Sequence, residues 1–184
     1  MSYERDFVLA HLLEHSVRRG EFVLKSGRTS TWFIDSKQTI CSPEVTPNLS
    51  ALMLERIPRE ASAIGGLTMG ADGLSFITAG ALAMQGRRLR AFSVRKEVKD
   101  HGGGGRIAGA LLAGDRVVIT EDTVTRGTSL LEAASVVQEF GAEVLLLLAV
   151  VDRGGTAKAM AAERGLAFDA LFSAPDLGFA YEGA

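Results

Sequence analysis

The chain has 184 residues, 47% of them hydrophobic and 23% charged, and a formal net charge of −2. That length suffices for one domain with a core of its own, and the near balance of charge excludes a general attraction to nucleic acid or to an anionic membrane. A single cysteine, Cys41, excludes an internal disulfide and suits a reducing compartment.

The first residues, MSYERDF, carry charges where a secretory signal has its apolar core. The longest apolar run, Val144 to Val151, is too short to span a bilayer and has the length of a strand buried on both faces. A cytoplasmic protein with no membrane partner is expected.

Residues 3–19 are predicted to be helical, with Leu9, Leu13 and Val17 on one face, a Glu14/Arg18 pair on another and Gly20 as the stop. His11 and His15 stand four apart on it without companion ligands, so they read as packing or solvated side chains. Phe22 to Gln38 alternates apolar and polar residues around Lys25-Ser26-Gly27-Arg28, which suggests a hairpin or a small hood. Pro43 is expected to open a helix that runs to about Ile57, where Pro58 ends it.

From there strands alternate with helices. Strands are predicted at 61–65, 89–94, 116–120 and 144–151, helices at 71–85, 130–140 and 156–164, and a further strand near 167–172. The final residues suggest no role. Such alternation implies a mostly parallel sheet with helices on both faces, and no repeat or linker divides residues 1–184. The exception is RKEVKDHGGGGR, 95–106, where four glycines beside charged residues cannot build a core and imply an exposed, mobile loop. Its G-x-G-x-x-A match, Gly103 to Ala108, lacks the preceding strand that a dinucleotide fingerprint needs.

The chemistry concentrates at Arg116 to Ser129, RVVITEDTVTRGTS. A β-branched run ends in Glu121 and Asp122, followed by a hydroxyl- and glycine-rich loop that leads into a helix. Backbone N–H groups at such a helix start attract an anion, while the two acids would repel phosphate and suit sugar hydroxyls. A phosphorylated ribose fits both halves. No Gly-Lys-Ser or Gly-Lys-Thr occurs, so this is not the nucleotide P-loop. Ligands of open parallel sheets collect beyond the strands' carboxyl ends, here Gly66 to Asp72, Arg95 and Lys96, Glu121 and Asp122, and Asp152 and Arg153. The cations Arg95, Lys96, Lys99 and His101 beside the glycines suggest a lid that closes over a pyrophosphate and excludes water.

The order of acids, hydroxyls and glycine in 121–129 resembles the phosphoribosyl-pyrophosphate (PRPP) motif of type I phosphoribosyltransferases. With Arg95-Lys96-x-x-Lys99-x-His101-Gly102, the upstream LKSGRTSTWFID (24–35) and Val151-Asp152-Arg153, the chain resembles the orotate phosphoribosyltransferase family from Lys25 to Arg153. The resemblance implies a type I phosphoribosyltransferase fold, α/β, with an open mostly parallel sheet flanked by helices. It implies one domain over 1–184, with an N-terminal hood at about 1–42 and a mobile lid at about 95–108.

It further implies that orotate and PRPP are the substrates, converted to orotidine 5′-monophosphate and pyrophosphate in pyrimidine (UMP) synthesis, with Mg²⁺ held through PRPP and water rather than by protein ligands. A homodimer would share lid residues, notably Lys96, across subunits. Lys99, His101 and Asp122 would be catalytic. PRPP would be bound by Arg95, Lys96, Lys99, His101, Glu121, Asp122, Thr123, Val124, Thr125, Arg126, Gly127, Thr128 and Ser129. Orotate would be held by Lys25, Phe33, Ile34, Thr125 and Arg153, the last on its carboxylate.

Two positions depart from the family pattern: Met69 stands where many members have a pyrophosphate-binding lysine, and Glu121 where the motif often has Asp. A purine-base phosphoribosyltransferase and a PRPP-sensing regulator are the alternatives. The first leaves Arg153 without a carboxylate to pair with. The second would be favoured by a missing lid or an added DNA-binding segment, whereas this sequence has the lid pattern and no obvious basic recognition helix.

Overall fold

The computed structural model describes residues 2–23, 27, 29–98 and 105–183. Helix α1, Tyr3–His11, starts at Ser2, whose side chain accepts from the Arg5 N–H at 3.3 Å, and it widens into a π turn over Leu12–Ser16. The predicted helix reached residue 19. Instead the chain turns extended at Val17, because β1 (Val17–Val23) pairs antiparallel with β2 (Thr29–Ile34), setting Val17 against Ile34 and Arg19 against Trp32. Gly20 falls at a bulge in this hairpin and stops no helix. His11 Nδ1 lies 3.0 Å from Thr39 Oγ1, and its ring packs 4.1 Å from that of His15.

A short helix, α2 (Lys37–Ile40), was not foreseen. The next, α3 (Thr46–Arg56), opens at Pro47 rather than Pro43, which lies in the turn between them. Then come β3 (Ala63–Leu67), α4 (Asp72–Met84), β4 (Arg90–Val94) and β5 (Ile107–Gly109). They are followed by β6 (Arg116–Val124), α5 (Thr128–Glu139), β7 (Glu143–Asp152), α6 (Ala157–Ala162) and β8 (Phe168–Ser173). A single 3₁₀ turn, Pro175–Leu177, leads into the C-terminal segment.

The main sheet has the order β5-β4-β3-β6-β7-β8. Every neighbouring pair is parallel except β4 with β5. Alternate residues of the central strands feed two cores. Val118, Leu146, Leu148 and Val150 face one that includes Val8, Leu49, Leu74 and Trp32. Val117, Ile119, Leu147 and Ala149 face the other, with Leu130, Ala134, Val137 and Ala161. Helices α1, α3 and α4 therefore cover one face and α5 and α6 the other, as the strand-helix alternation implied. Among the described residues no helix is long and apolar enough to cross a membrane.

Strand β6 runs four residues past its expected end, because Thr123 and Val124 stay in register with Val151 and Asp152 of β7. The two acids therefore sit on paired, rigid backbone rather than in a loop.

Leu148 is fully buried at the centre of the first core. Leu148→Ala is expected to lower unfolding free energy by ~2–5 kcal/mol, read as a lower urea midpoint at unchanged slope.

Candidate active site

At the carboxyl end of β6, a cavity of about 720 Å³ is lined by Glu121, by Thr123 through Ser129, by Phe22, Val23 and Phe33 of the hairpin, and by Arg153 and Glu182. Its floor is the turn from β6 into α5. Gly127 caps that helix with φ +77°, a left-handed value that glycine adopts without strain, and the helix's first N–H groups have no intrahelical partner. The opposite side of the turn rests on the β7–α6 connection. There Thr156 donates its hydroxyl to the Thr125 carbonyl at 3.1 Å, and Asp152 Oδ1 accepts the N–H groups of Gly154 and Gly155 at 3.1 and 2.8 Å. The N–H of Arg153 donates to the Val124 carbonyl at 2.8 Å, fixing the backbone from which its side chain springs.

The acid pair is buried, and its members behave differently. Asp122 accepts from Lys37 Nζ at 2.5 Å, from Ser36 Oγ at 2.9 Å and from the Thr123 N–H at 2.8 Å. Burial works against its charge, but the Lys37 ammonium and these hydrogen bonds prevail and hold its carboxyl below the ordinary range. Burial raises Glu121, and the neighbouring Asp122 charge raises it further, to about 8. At neutral pH Glu121 is therefore mostly a protonated donor and Asp122 an anion. Gly70 makes room for both: a Cβ there would stand 1.6 Å from Glu121 Oε1 and 2.9 Å from Asp122 Oδ1. Among the described residues no group of three or more His, Cys, Asp or Glu is placed to hold a metal ion.

Arg153 is buried, 7% exposed. Its Nη2 donates to Ser30 Oγ at 2.9 Å and to the Trp32 carbonyl at 3.0 Å, and it pairs with Glu182. The Trp32 ring lies 4.8 Å from the guanidinium carbon. Arg153 Nε and Thr123 Oγ1 are buried without a hydrogen-bond partner among the described residues.

Most residues expected at the site converge on it. Phe33, Glu121, Thr123, Val124, Thr125, Arg126, Gly127, Thr128, Ser129 and Arg153 line the one cavity, Asp122 lies beside Glu121, and Ile34 is buried next to Phe33 in β2. Arg95 turns elsewhere, its Nη1 donating to the carbonyls of Gly105 and Ile107 at 3.4 Å each, so it ties the two ends of the β4–β5 excursion. Lys96 is exposed. Lys25, Lys99 and His101 lie outside the described residues. Met69, in the lysine position, is 71% exposed.

Sequence reasoning missed Lys37, Ser36 and Glu182. The first two directly follow Asp35 in the segment already singled out, whereas Glu182 lies in a tail that gave no signal.

The parallel sheet, the acid pair on β6 and the helix-capping loop beyond it define a type I phosphoribosyltransferase. No family model matches the chain. Relatives narrow the class. The orotate phosphoribosyltransferase of Rhodopseudomonas palustris is 40% identical over 166 residues, 88% of this chain and 89% of the relative. That of Streptomyces avermitilis is 35% identical over 176 residues, covering 95% and 97%. The crystal structure of Mycobacterium tuberculosis orotate phosphoribosyltransferase in complex with PRPP superposes with a TM-score of 0.80 at 31% identity, covering 96% of this chain and 99% of that one. The chain belongs to the orotate phosphoribosyltransferase family, whose members are glycosyltransferases.

The acid pair predicts a pH dependence of stability. Glu121 ionises near its ordinary 4.5 when unfolded and at about 8 when folded, so in that window the folded state binds more protons. Its contribution is complete below the unfolded value and is lost as pH rises through about 8, at up to ~1.4 kcal/mol per pH unit. The thermal midpoint, compared with that of Glu121→Gln, is expected to fall between about pH 5 and about pH 8.

Proposed function

We propose that the chain transfers the 5-phosphoribosyl group of PRPP to orotate, giving orotidine 5′-monophosphate and pyrophosphate in cytoplasmic pyrimidine synthesis, and that the cavity at the end of β6 is where it does so. One observation carries the assignment to this cavity: a helix-capping loop of phosphate-binding type and a buried guanidinium line the same space. An anion with a sugar suits the first and a planar carboxylate the second.

In this reading the backbone N–H groups and hydroxyls of Thr125 to Ser129 hold the 5-phosphate, with Thr123 and Arg126 beside them. Glu121, protonated, donates to one ribose hydroxyl while Asp122 accepts from another. Orotate lies between Lys25, the backbone of Phe33 and Ile34, Thr125 and Arg153, its carboxylate on the guanidinium. Displacement at the anomeric carbon builds positive charge on the ribose as the bond to pyrophosphate lengthens. The Asp122 carboxylate is fixed by Lys37 and Ser36 before the reaction and needs no reorganisation to stabilise that charge.

Lys99 and His101 neutralise the leaving pyrophosphate, and Lys96 does so in the neighbouring subunit of a homodimer. Arg95 serves at the stem of the lid, taken as about 95–108. Residues of about 1–42 form the hood of a single domain. Mg²⁺ would be held through PRPP and water rather than by protein ligands, since Asp122 is already engaged and Glu121 is largely protonated. When bound, it would supply charge neutralisation at the leaving group.

The test is loss of orotate absorbance in the presence of PRPP and Mg²⁺. Turnover is expected. Arg153→Ala should raise KM for orotate by ~10- to 100-fold, the worth of a charged hydrogen bond, with a smaller effect on kcat. Lys99→Ala should lower kcat by ~10²-fold or more, the loss of a group that acts on developing charge. Turnover of purine bases and not orotate, or PRPP binding without turnover, would overturn the assignment.

A further inference from the structure

The C-terminal segment closes over the end of the cavity that the proposed function gives to orotate. Glu182 Oε2 lies 2.5 Å from Arg153 Nη2, and its Oε1 accepts from Ser30 Oγ at 2.5 Å. The backbone is stitched down as well, since the N–H groups of Glu182 and Gly183 donate to the carbonyls of Arg153 and Gly154 at 3.1 and 3.0 Å. Tyr181 lies against Gly155, where a Cβ would stand 2.7 Å from its ring. Phe179 stacks on Trp32 with ring centroids 4.3 Å apart and an interplanar angle of 5°, and the Arg19 guanidinium lies 4.4 Å from the Phe179 ring. Residues 179–183 are thus anchored on both hairpin and turn, and they present one carboxylate to a buried cation.

We infer that Glu182 is an internal competitor, a carboxylate that occupies Arg153 in the empty enzyme and must leave it when orotate binds. The inference rests on the reading that Arg153 receives the orotate carboxylate. An always-ionised guanidinium in so dry a place needs an anion, and Glu182 supplies it. The internal pairing is incomplete: Arg153 bonds Glu182 through Nη2, a nitrogen also shared with Ser30 and Trp32, and Nε is left without a partner. A planar carboxylate taking two N–H groups of one edge improves on that, so exchange favours the substrate. Two carboxylates on one buried guanidinium repel, so the arriving anion drives Glu182 off. The cost of lifting the tail is subtracted from orotate's affinity, as for any ligand that must first displace a populated closed state.

Titration calorimetry of the full chain with orotate, for the parent, Glu182→Gln and Glu182→Ala, tests this. Both variants are expected to bind orotate several-fold more tightly than the parent, while PRPP affinity stays the same. Unchanged or weaker orotate binding in both variants would overturn the inference and make Glu182 a residue that holds Arg153 in position. Arg153→Ala separates the two levels. If it weakens orotate binding while the Glu182 variants fail to tighten it, the competitor is lost and the reading of Arg153 stands. If it leaves orotate binding intact, that reading falls, and the competitor with it.

Discussion

Parallel pairing between β6 and β7 carries on to Val124 and Asp152, four residues beyond the strand end that the apolar run of β6 suggests. This pairing decides where the candidate site stands. It fixes Glu121 and Asp122 on rigid backbone, launches the Thr125–Ser129 turn at a defined height, and delivers Arg153 from the adjacent strand through its bond to the Val124 carbonyl. Ligand sites gather at the carboxyl ends of such sheets because the crossover helices leave that edge open, with their N-termini turned toward it.

Electrostatics then shape what this edge can accept. Two adjacent acids facing a phosphate-type loop would be self-defeating if both were charged. Burial and mutual repulsion protonate Glu121, while Lys37 from α2 keeps Asp122 ionised, so the pair carries about one negative charge and that charge is already compensated. A group that donates and a group that accepts stand side by side, which suits neighbouring hydroxyls of a sugar. The Asp-to-Glu departure from the family pattern is accommodated by Gly70, whose missing side chain leaves the longer acid its space.

Long-range packing completes the other end of the cavity. Arg153 is gripped by Ser30 and Trp32 of the N-terminal hairpin and by Glu182 of the C-terminal segment, so two distant stretches of chain meet on one guanidinium. Trp32 links them, touching both Arg153 and Phe179. A buried cation in this position is tolerable only when satisfied, which is why each segment contributes an oxygen or a ring face.

The sequence by itself determined the alternation of strands and helices, the two-faced parallel sheet, and the acid-hydroxyl-glycine loop with its arginine. Those features are written in local periodicity and in residue order, and they survive any detail of packing. It misjudged the first helix, because pairing of Val17 to Arg19 with β2 outweighs a helical pattern whose apolar face ends there. It was silent on Lys37 and Glu182, since a surface-type lysine and a glutamate in a short tail carry no periodic signal. Only the tertiary structure decided that Asp122 keeps its charge, that Glu121 holds a proton and that Arg153 has an internal partner. The first and third depend on groups 29 to 123 residues away in the chain and the second on burial beside Asp122, and none of this can be read from spacing.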